Sequence, residues 1–120
     1  MEKERSCAAL TLNGYQRMAG ETAAFEKDTQ WDAVDYCTLG LTGEAGEVAN
    51  KVKKVYRDDK KVFTAEKCEA IAYELGDCMW YIAMCAENLG YSLEDIARMN
   101  YAKLQSRKER GKLGGSGDER

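Results

Sequence analysis

Two pairs of acidic residues recur with the same spacing in two segments of the chain: Glu44 with Glu47, and Glu74 with Asp77. Residues three apart on an α-helix project from the same face, so each pair predicts a clamp of two carboxylates. Carboxylate oxygens suit hard divalent ions such as Mg²⁺ and Mn²⁺, and facing helices of a bundle can hold a metal through such side chains. The four acids therefore indicate a metal site, against the alternative of solvated charges in a chain that is 32% charged.

The two acidic segments match each other position by position, as a short internal repeat. Each carries apolar residues at helical spacing, which predicts two amphipathic helices. The two apolar stripes are Leu41, Ala45, Val48, Val52 and Val55, and then Ile71, Leu75, Cys78, Ile82 and Cys85. Both acidic pairs lie along the border of their stripe. Packing of the stripes therefore draws the acids toward the seam, where a cation must offset their repulsion.

Helix start and stop signals predict an all-α fold of four helices, in a domain that spans residues 12–110. Asn13 with Gln16 reads as a capping box for the first helix, which we expect to run to about Asp28. The other three helices are predicted from about Asp35 to Tyr56, from the N-cap Thr64 to Gly90, and from Ser92 toward Arg107 or Arg110. Residues 1–11 are expected to be a flexible N-terminus, and residues 111–120 a glycine-rich tail.

Composition excludes several classes of protein. The 120 residues suffice for one domain, and the absence of histidine excludes Ser-His or Cys-His nucleophilic catalysis. Five cysteines without a CxxC pair are interpreted as small buried hydrophobes rather than as a zinc site. A net charge of -3 gives no attraction for a nucleic-acid polymer, and no apolar run is long enough to cross a membrane. We therefore expect a soluble, cytoplasmic protein.

The C-terminal part of the chain is locally basic. Residues 98–120 carry seven Lys or Arg against three Asp or Glu. Asn100, Lys103 and Arg107 lie on one face of the fourth predicted helix, which fits contacts to phosphate or sugar, although a solvated helix face is the alternative. An acidic metal site beside a basic segment suits a ligand that is itself a metal-bound polyanion, and triphosphate is the obvious small one.

The glycine-rich tail has two interpretations. Its backbone N–H groups could cradle phosphate, with Ser116 in the loop and Lys112 and Arg120 as further contacts. It could equally be a flexible end of the chain. We expect the first.

Three segments together resemble the MazG-like nucleoside triphosphate pyrophosphohydrolases, of the all-α NTP pyrophosphohydrolase superfamily. They are Gly40-Leu-Thr-Gly-Glu-Ala-Gly-Glu47, Glu74-Leu-Gly-Asp77, and Asn100-Tyr-Ala-Lys-Leu104 with Arg107. Gly43 departs from the fuller EExxE motif of that family, whose first position is acidic. The resemblance implies hydrolysis of an NTP or dNTP between the α- and β-phosphates, giving a nucleoside monophosphate and pyrophosphate.

The resemblance also implies how the site works. Glu44, Glu47, Glu74 and Asp77 would hold Mg²⁺, or Mn²⁺ in its place, and the metal would activate the attacking water. We assign the orientation of that water to Glu47. A homo-oligomer, dimer or tetramer, is expected, with active sites near the subunit interfaces.

The base of the nucleotide is not specified by these motifs. Trp31, Phe25 and Tyr15 are candidates for stacking on it, and Gln16 could read its edge, although each also fits a place in the core or at an interface. Gly46 and Gly76 point away from the apolar stripes, which predicts close approach of another backbone. A dUTPase-like or other specialised pyrophosphohydrolase, and a non-catalytic helical interaction module, remain the alternative functions.

Overall fold

The computed structural model describes residues 9–25 and 28–119 of the chain. This part consists of four helices without strands, which confirms the all-α prediction. The helices are α1 Leu12–Gly20, α2 Gln30–Asp58, α3 Ala65–Asn88 and α4 Leu93–Glu109. The flexible N-terminus predicted for residues 1–11 falls mainly on residues 1–8, which lie outside the described residues, as does Arg120.

The first helix differs from its prediction at both ends. Thr11 is the N-cap, and its Oγ1 accepts a hydrogen bond from the backbone N–H of Gly14 at 2.9 Å. The helix ends at Gly20 rather than near Asp28, and the Nε1–H of Trp80 donates to the carbonyl of Ala19 at 3.2 Å at this end. The predicted capping box was therefore wrong, because both of its side chains make bonds to distant segments instead.

Those distant bonds fasten α1 to the rest of the chain. Asn13 Oδ1 accepts from the backbone N–H of Glu94 at 3.1 Å, so Asn13 caps α4 rather than α1. Gln16 is 6% exposed. Its Nε2 donates to the carbonyls of Ala83 at 3.2 Å and Tyr91 at 3.1 Å, and its Oε1 accepts from the N–H of Leu93 at 2.9 Å.

The caps of the last two helices are confirmed. Thr64 Oγ1 accepts from the N–H of Lys67 at 3.2 Å, and Ser92 Oγ from the N–H of Asp95 at 3.0 Å. Gly90 has φ +82, the left-handed conformation that favours glycine after a helix. Helix α2 begins after the N-cap Thr29, earlier than predicted, so Trp31 and Tyr36 lie within the helix.

Helices α2 and α3 form an antiparallel pair, and each end of the pair has its own contact. At one end the ring of Tyr81 lies directly over Gly40. At the other, Lys67 Nζ lies 3.9 Å from Asp59 Oδ2. The two apolar stripes are only partly covered in the single chain, since Val55 is buried but Leu75 remains 53% exposed. The main core lies where all four helices contribute side chains, and it contains Ala19, Cys37, Ala83, Met84 and Leu93.

None of the helices in the described part of the chain combines the length and apolar character that a membrane span requires. Apart from the adjacent residues and the backbone of the same helix, no atom of the described residues lies within 4 Å of a Cβ built at Gly46 or Gly76. The close approach predicted there is therefore not made within the chain, and an interface with another copy stays a prediction.

Replacing Gly40 by alanine tests the tightest contact of the α2–α3 pair. The added Cβ would overlap the Tyr81 ring, so we expect Gly40→Ala to lower the free energy of unfolding by about 1–3 kcal/mol. The matched control is Gly43→Ala, where a Cβ meets nothing within 4 Å. The control should gain up to about 1 kcal/mol from helix propensity. Urea unfolding of both variants checks this, and equal stability would contradict the contact.

Candidate active site

Three of the predicted metal ligands come together across the seam between α2 and α3. Glu44 from α2 and the pair Glu74 and Asp77 from α3 each offer a carboxylate oxygen, and these oxygens all lie within 4.8 Å of one another. Glu44 and Glu74 are half-buried and Asp77 is exposed. We call these three residues the acid cluster.

Glu47 is placed differently from its predicted partners. It lies one turn after Glu44 on α2, its side chain is exposed, and it is not among the three residues whose oxygens converge. Its charge still acts on Glu44. The structure therefore groups three of the four predicted ligands and leaves Glu47 beside them.

The acid cluster is electrostatically strained. Partial burial raises the pKa of Glu44 above its ordinary value, and a hydrogen bond shared with Glu74 and the charges of Asp77, Glu74 and Glu47 raise it further. Lys51 Nζ lies 3.6 Å from Glu74 Oε1, so one ammonium group partly offsets the negative charge. Such a cluster favours binding of a cation.

The donor set fits a hard divalent ion. Mg²⁺ prefers six oxygen ligands at about 2.1 Å, so two ligands on opposite sides of one ion lie about 4.2 Å apart. The oxygens of the acid cluster lie within 4.8 Å of one another, so side-chain movements of under about 1 Å would allow all three to bind one such ion. Glu44, Glu74 and Asp77 are thus the residues that could hold the metal, with Glu47 within one helical turn.

Two cavities adjoin the acid cluster and share Asp77 and Trp80. The first has a volume of about 320 Å³ and is lined by Thr22, Glu44, Asp77, Trp80 and Tyr81. The second has a volume of about 480 Å³ and lies between α1 and α3, lined by Tyr15, Glu69, Ala72, Tyr73, Gly76, Asp77 and Trp80. Aromatic rings therefore lie directly beside the carboxylates.

The charges of the acid cluster affect the pKa values of two neighbouring tyrosines. Burial and the charge of Asp77 raise the pKa of the Tyr15 hydroxyl. Burial, Tyr36 and the charge of Glu44 raise the pKa of the Tyr81 hydroxyl. Trp80 is held in place by hydrogen bonds from its Nε1–H to Thr22 Oγ1 at 2.8 Å and to the carbonyl of Ala19.

The residues predicted to contact the base lie at different distances from the acid cluster and its cavities. Tyr15 lines the larger cavity, whereas Phe25 stacks on Tyr36 with ring centroids 4.4 Å apart. Trp31 is 75% exposed in the first turn of α2, roughly 20 Å along the helix from Glu44. The side-chain amide of Gln16 is buried and already hydrogen-bonded to Ala83, Tyr91 and Leu93. The proposed substrate site therefore includes neither Gln16 nor the distant Trp31.

The basic face of α4 is separate from the acid cluster within one chain. Asn100 and Lys103 line a groove with Ile96 and Met99. Helix α4 packs on α1 and α3, and within the described residues none of its Cα atoms lies within 8 Å of a Cα atom of α2, which carries Glu44. The structure therefore does not join the predicted phosphate contacts to the acids in a single copy.

Arg107 is bound to the tail rather than exposed on the helix. It is 4% exposed. Its Nη2 donates to the carbonyls of Gly117 at 3.2 Å and Asp118 at 2.9 Å, and lies 3.3 Å from Asp118 Oδ1. Lys103 Nζ lies 3.3 Å from the same carboxylate oxygen, and both cations lower the pKa of Asp118. Lys112 and Ser116 are exposed in this folded tail.

Comparison with known proteins assigns the chain to a family. A model of the MazG nucleotide pyrophosphohydrolase domain matches residues 34–111. The chain belongs to this MazG family. The matched segment contains all four predicted acids together with Asn100, Lys103 and Arg107, whereas α1 and the tail beyond residue 111 lie outside it.

Two relatives of this MazG chain differ in how much of it they match. The gene 37 protein of Mycobacterium phage L5 is 47% identical over 109 residues, which cover 88% of this chain and 96% of that protein. Uncharacterized protein YvdC of Bacillus subtilis (strain 168) is 36% identical over 74 residues, which cover 58% of this chain and 70% of that protein. No solved structure matches the chain significantly.

Sequence reasoning missed four residues that adjoin the acid cluster or line its cavities: Lys51, Tyr73, Trp80 and Tyr81. The three aromatic residues lie within four positions of Asp77 on α3. That spacing places them on or beside the face of Asp77, and this signal could have identified them. Lys51 follows Glu44 by two helical turns, so it shares the face of Glu44 on α2.

The repulsion within the acid cluster predicts that Glu44→Gln stabilises the metal-free protein. In EDTA at neutral pH we expect the variant to melt a few degrees higher than the unsubstituted protein. The folded-state pKa of Glu44 lies above its ordinary value of 4.5. The penalty is therefore present above the folded-state pKa and disappears as the pH falls below about 4.5, and the advantage of the variant should shrink on acidification. Thermal melts across this pH range check it.

Glu47→Gln is the matched control, because it removes the same charge from an exposed position one turn away. It should shift the melting temperature less than Glu44→Gln does. Equal shifts for both variants would mean that the clustering of Glu44 with Glu74 and Asp77 has no energetic consequence.

The buried position of Arg107 predicts that it orders the glycine-rich tail. Arg107→Met removes the bonds to Gly117 and Asp118, and we expect faster hydrogen exchange of the backbone amides of residues 111–118. The control is Arg98→Met, on the same helix, because Arg98 pairs instead with Glu94 at 2.7 Å. Exchange measured by mass spectrometry checks this. Unchanged exchange in Arg107→Met would show that the tail is held by other contacts.

Proposed function

We propose that this MazG protein is a Mg²⁺-dependent nucleoside triphosphate pyrophosphohydrolase, which cleaves an NTP or dNTP between the α- and β-phosphates. The observation that carries the proposal is the convergence of Glu44, Glu74 and Asp77 within 4.8 Å from two copies of one repeated motif. Membership of the MazG nucleotide pyrophosphohydrolase family supports it. The products are a nucleoside monophosphate and pyrophosphate.

Each part of the site has a task in this reaction. Glu44, Glu74 and Asp77 would hold a Mg²⁺ or Mn²⁺ ion, which would supply positive charge for the phosphates and activate the attacking water. Glu47, which is exposed one turn away, would orient that water and accept its proton. The partial burial of Glu44 and Glu74 limits the access of solvent to the carboxylates, which strengthens their interaction with the cation.

The larger cavity supports a place for the nucleobase. Its wall combines Tyr15 from α1 with Tyr73 and Trp80 from α3, and Asp77 lies at its edge. Aromatic faces stack on any of the bases. A substrate with its phosphates at the acid cluster can therefore extend its base into this cavity.

We propose that a second copy of the chain supplies Asn100 and Lys103, because no cavity described above joins the basic face of α4 to the acids of its own copy. An apolar face of α3 supports association, since Leu75, Met79 and Ile82 are 53%, 40% and 37% exposed. Exposed apolar patches commonly mark protein interfaces, and most oligomers are symmetric assemblies of one chain. The proposed state is a dimer or a tetramer.

Turnover of a nucleotide panel tests the proposed function. Incubation with NTPs and dNTPs in the presence of Mg²⁺ should release nucleoside monophosphate and pyrophosphate in equal amounts. Glu44→Gln and Asp77→Asn should each lower turnover by more than about 100-fold while the fold is retained, because each removes a ligand of the cation. Ion-exchange chromatography that separates nucleotides, pyrophosphate and phosphate provides the measurement.

The control is Glu87→Gln, which removes an exposed acid from the same helix as Asp77 and should retain turnover. Release of inorganic phosphate instead of pyrophosphate would contradict the proposed bond. Absence of any hydrolysis across the panel would favour a non-catalytic interaction module.

A further inference from the structure

Lys51 is the cationic side chain that reaches the acid cluster among the ion pairs of the described residues. Its Nζ lies 3.6 Å from Glu74 Oε1, and the two side chains are 33% and 18% exposed. The bond crosses from α2 to α3, so it joins the two halves of the repeated motif. Lys51 also follows Glu47 by four residues, which is the favourable order for a Glu–Lys pair on a helix.

Two of the basic residues that the sequence assigned to phosphate are paired elsewhere. Lys103 and Arg107 both lie 3.3 Å from Asp118 Oδ1 in the tail. Among the ion pairs of the described residues, the positive charge at the converging carboxylates thus comes from Lys51, which lies outside the three segments that carry the family resemblance. A Lys side chain has a flexible four-carbon stem, so its ammonium can change partners without movement of the helix.

An ammonium group and a metal ion compete for Glu74. Both are attracted to the carboxylate of Glu74, and their positive charges repel each other when they approach the same ligand. Binding of a metal to the acid cluster should therefore weaken the Lys51–Glu74 pair. An ammonium released from that pair would be available to a phosphate oxygen of a metal-bound nucleotide.

We propose that Lys51 is an exchangeable counter-ion of the site, which pairs with Glu74 in the metal-free protein and with substrate phosphate once the metal is bound. The inference rests on the proposed function, because it requires a cation at Glu44, Glu74 and Asp77. It assigns to Lys51 two opposite effects: it weakens binding of the metal alone and strengthens binding of the metal–phosphate ligand.

Metal binding without nucleotide tests the first effect. The full chain and its Lys51→Met variant are titrated with Mn²⁺ at fixed ionic strength, and the bound ion is followed by electron paramagnetic resonance. Methionine keeps much of the apolar stem and removes the charge. We expect Mn²⁺ to bind roughly two- to fivefold more tightly to Lys51→Met, which corresponds to the loss of one partly exposed ion pair.

Phosphate binding tests the second effect. With Mn²⁺ saturating, we expect the affinity for pyrophosphate, used as a non-nucleotide probe, to fall at least about tenfold in Lys51→Met, because a charge-assisted hydrogen bond is lost. Lys51→Arg should restore most of this affinity. The control is Lys54→Met, which removes an exposed charge three residues later on the same helix. It should leave the affinities for Mn²⁺ and for pyrophosphate nearly unchanged, because salt screens the effect of an exposed charge.

The outcomes separate the two proposals. Tighter Mn²⁺ binding together with weaker pyrophosphate binding supports the exchange. Unchanged or weaker Mn²⁺ binding in Lys51→Met, while the unsubstituted chain binds Mn²⁺, overturns the role of Lys51 and leaves the metal site standing. Failure of Mn²⁺ to bind the unsubstituted chain overturns the metal site itself, and the role of Lys51 with it.

Discussion

The close approach of three carboxylates in the seam between α2 and α3 is the constraint on which the rest of the structure depends. Like charges within 4.8 Å push the two helices apart unless other contacts hold them. Those contacts lie on both sides of the acids: the Tyr81 ring packs over Gly40 on one side, and Lys67 pairs with Asp59 on the other. The repulsion is therefore confined to a seam whose geometry is fixed from its ends, which leaves the carboxylates poised for a cation.

The main core is built at one end of this helix pair, and that position leaves the seam open. Gln16 joins α1 to α3 and to the start of α4, and Asn13 caps α4. Trp80 bonds the end of α1 at the same time as it lines both cavities. Helix α1 is thereby fixed as the far wall of the aromatic cavity by hydrogen bonds that do not involve the acids. The residues that hold the helices around the site are therefore different from the residues of the acid cluster.

Local signals were sufficient for the parts of the fold that depend on neighbouring residues. Thr64 and Ser92 cap the helices that follow them, and helical spacing of apolar residues located the α2–α3 pair. Asn13 and Gln16 were misassigned because their bonding partners lie more than 60 residues away in the chain. The grouping of Glu44 with Glu74 and Asp77, but not Glu47, depends on how α2 and α3 are rotated against each other. A sequence repeat predicts that the two acidic faces meet, but it does not specify the rotation of the helices that decides which acids converge.

Lys51 and the Lys103–Arg107 pair share a feature that periodicity could not reveal, because each is already paired with a carboxylate of the same chain. Lys51 lies against Glu74, and Lys103 with Arg107 lies against Asp118. A chain without ligands therefore partly offsets the charges of its own site, which reduces the cost of holding acids and bases in place. A metal and a triphosphate carry opposite charges, so they can take these partners over together, the metal at the carboxylates and the phosphates at the cations. In the proposed reaction, charge pairs within the protein are thus exchanged for pairs with the ligand, and neither ligand alone balances the site as well as both do.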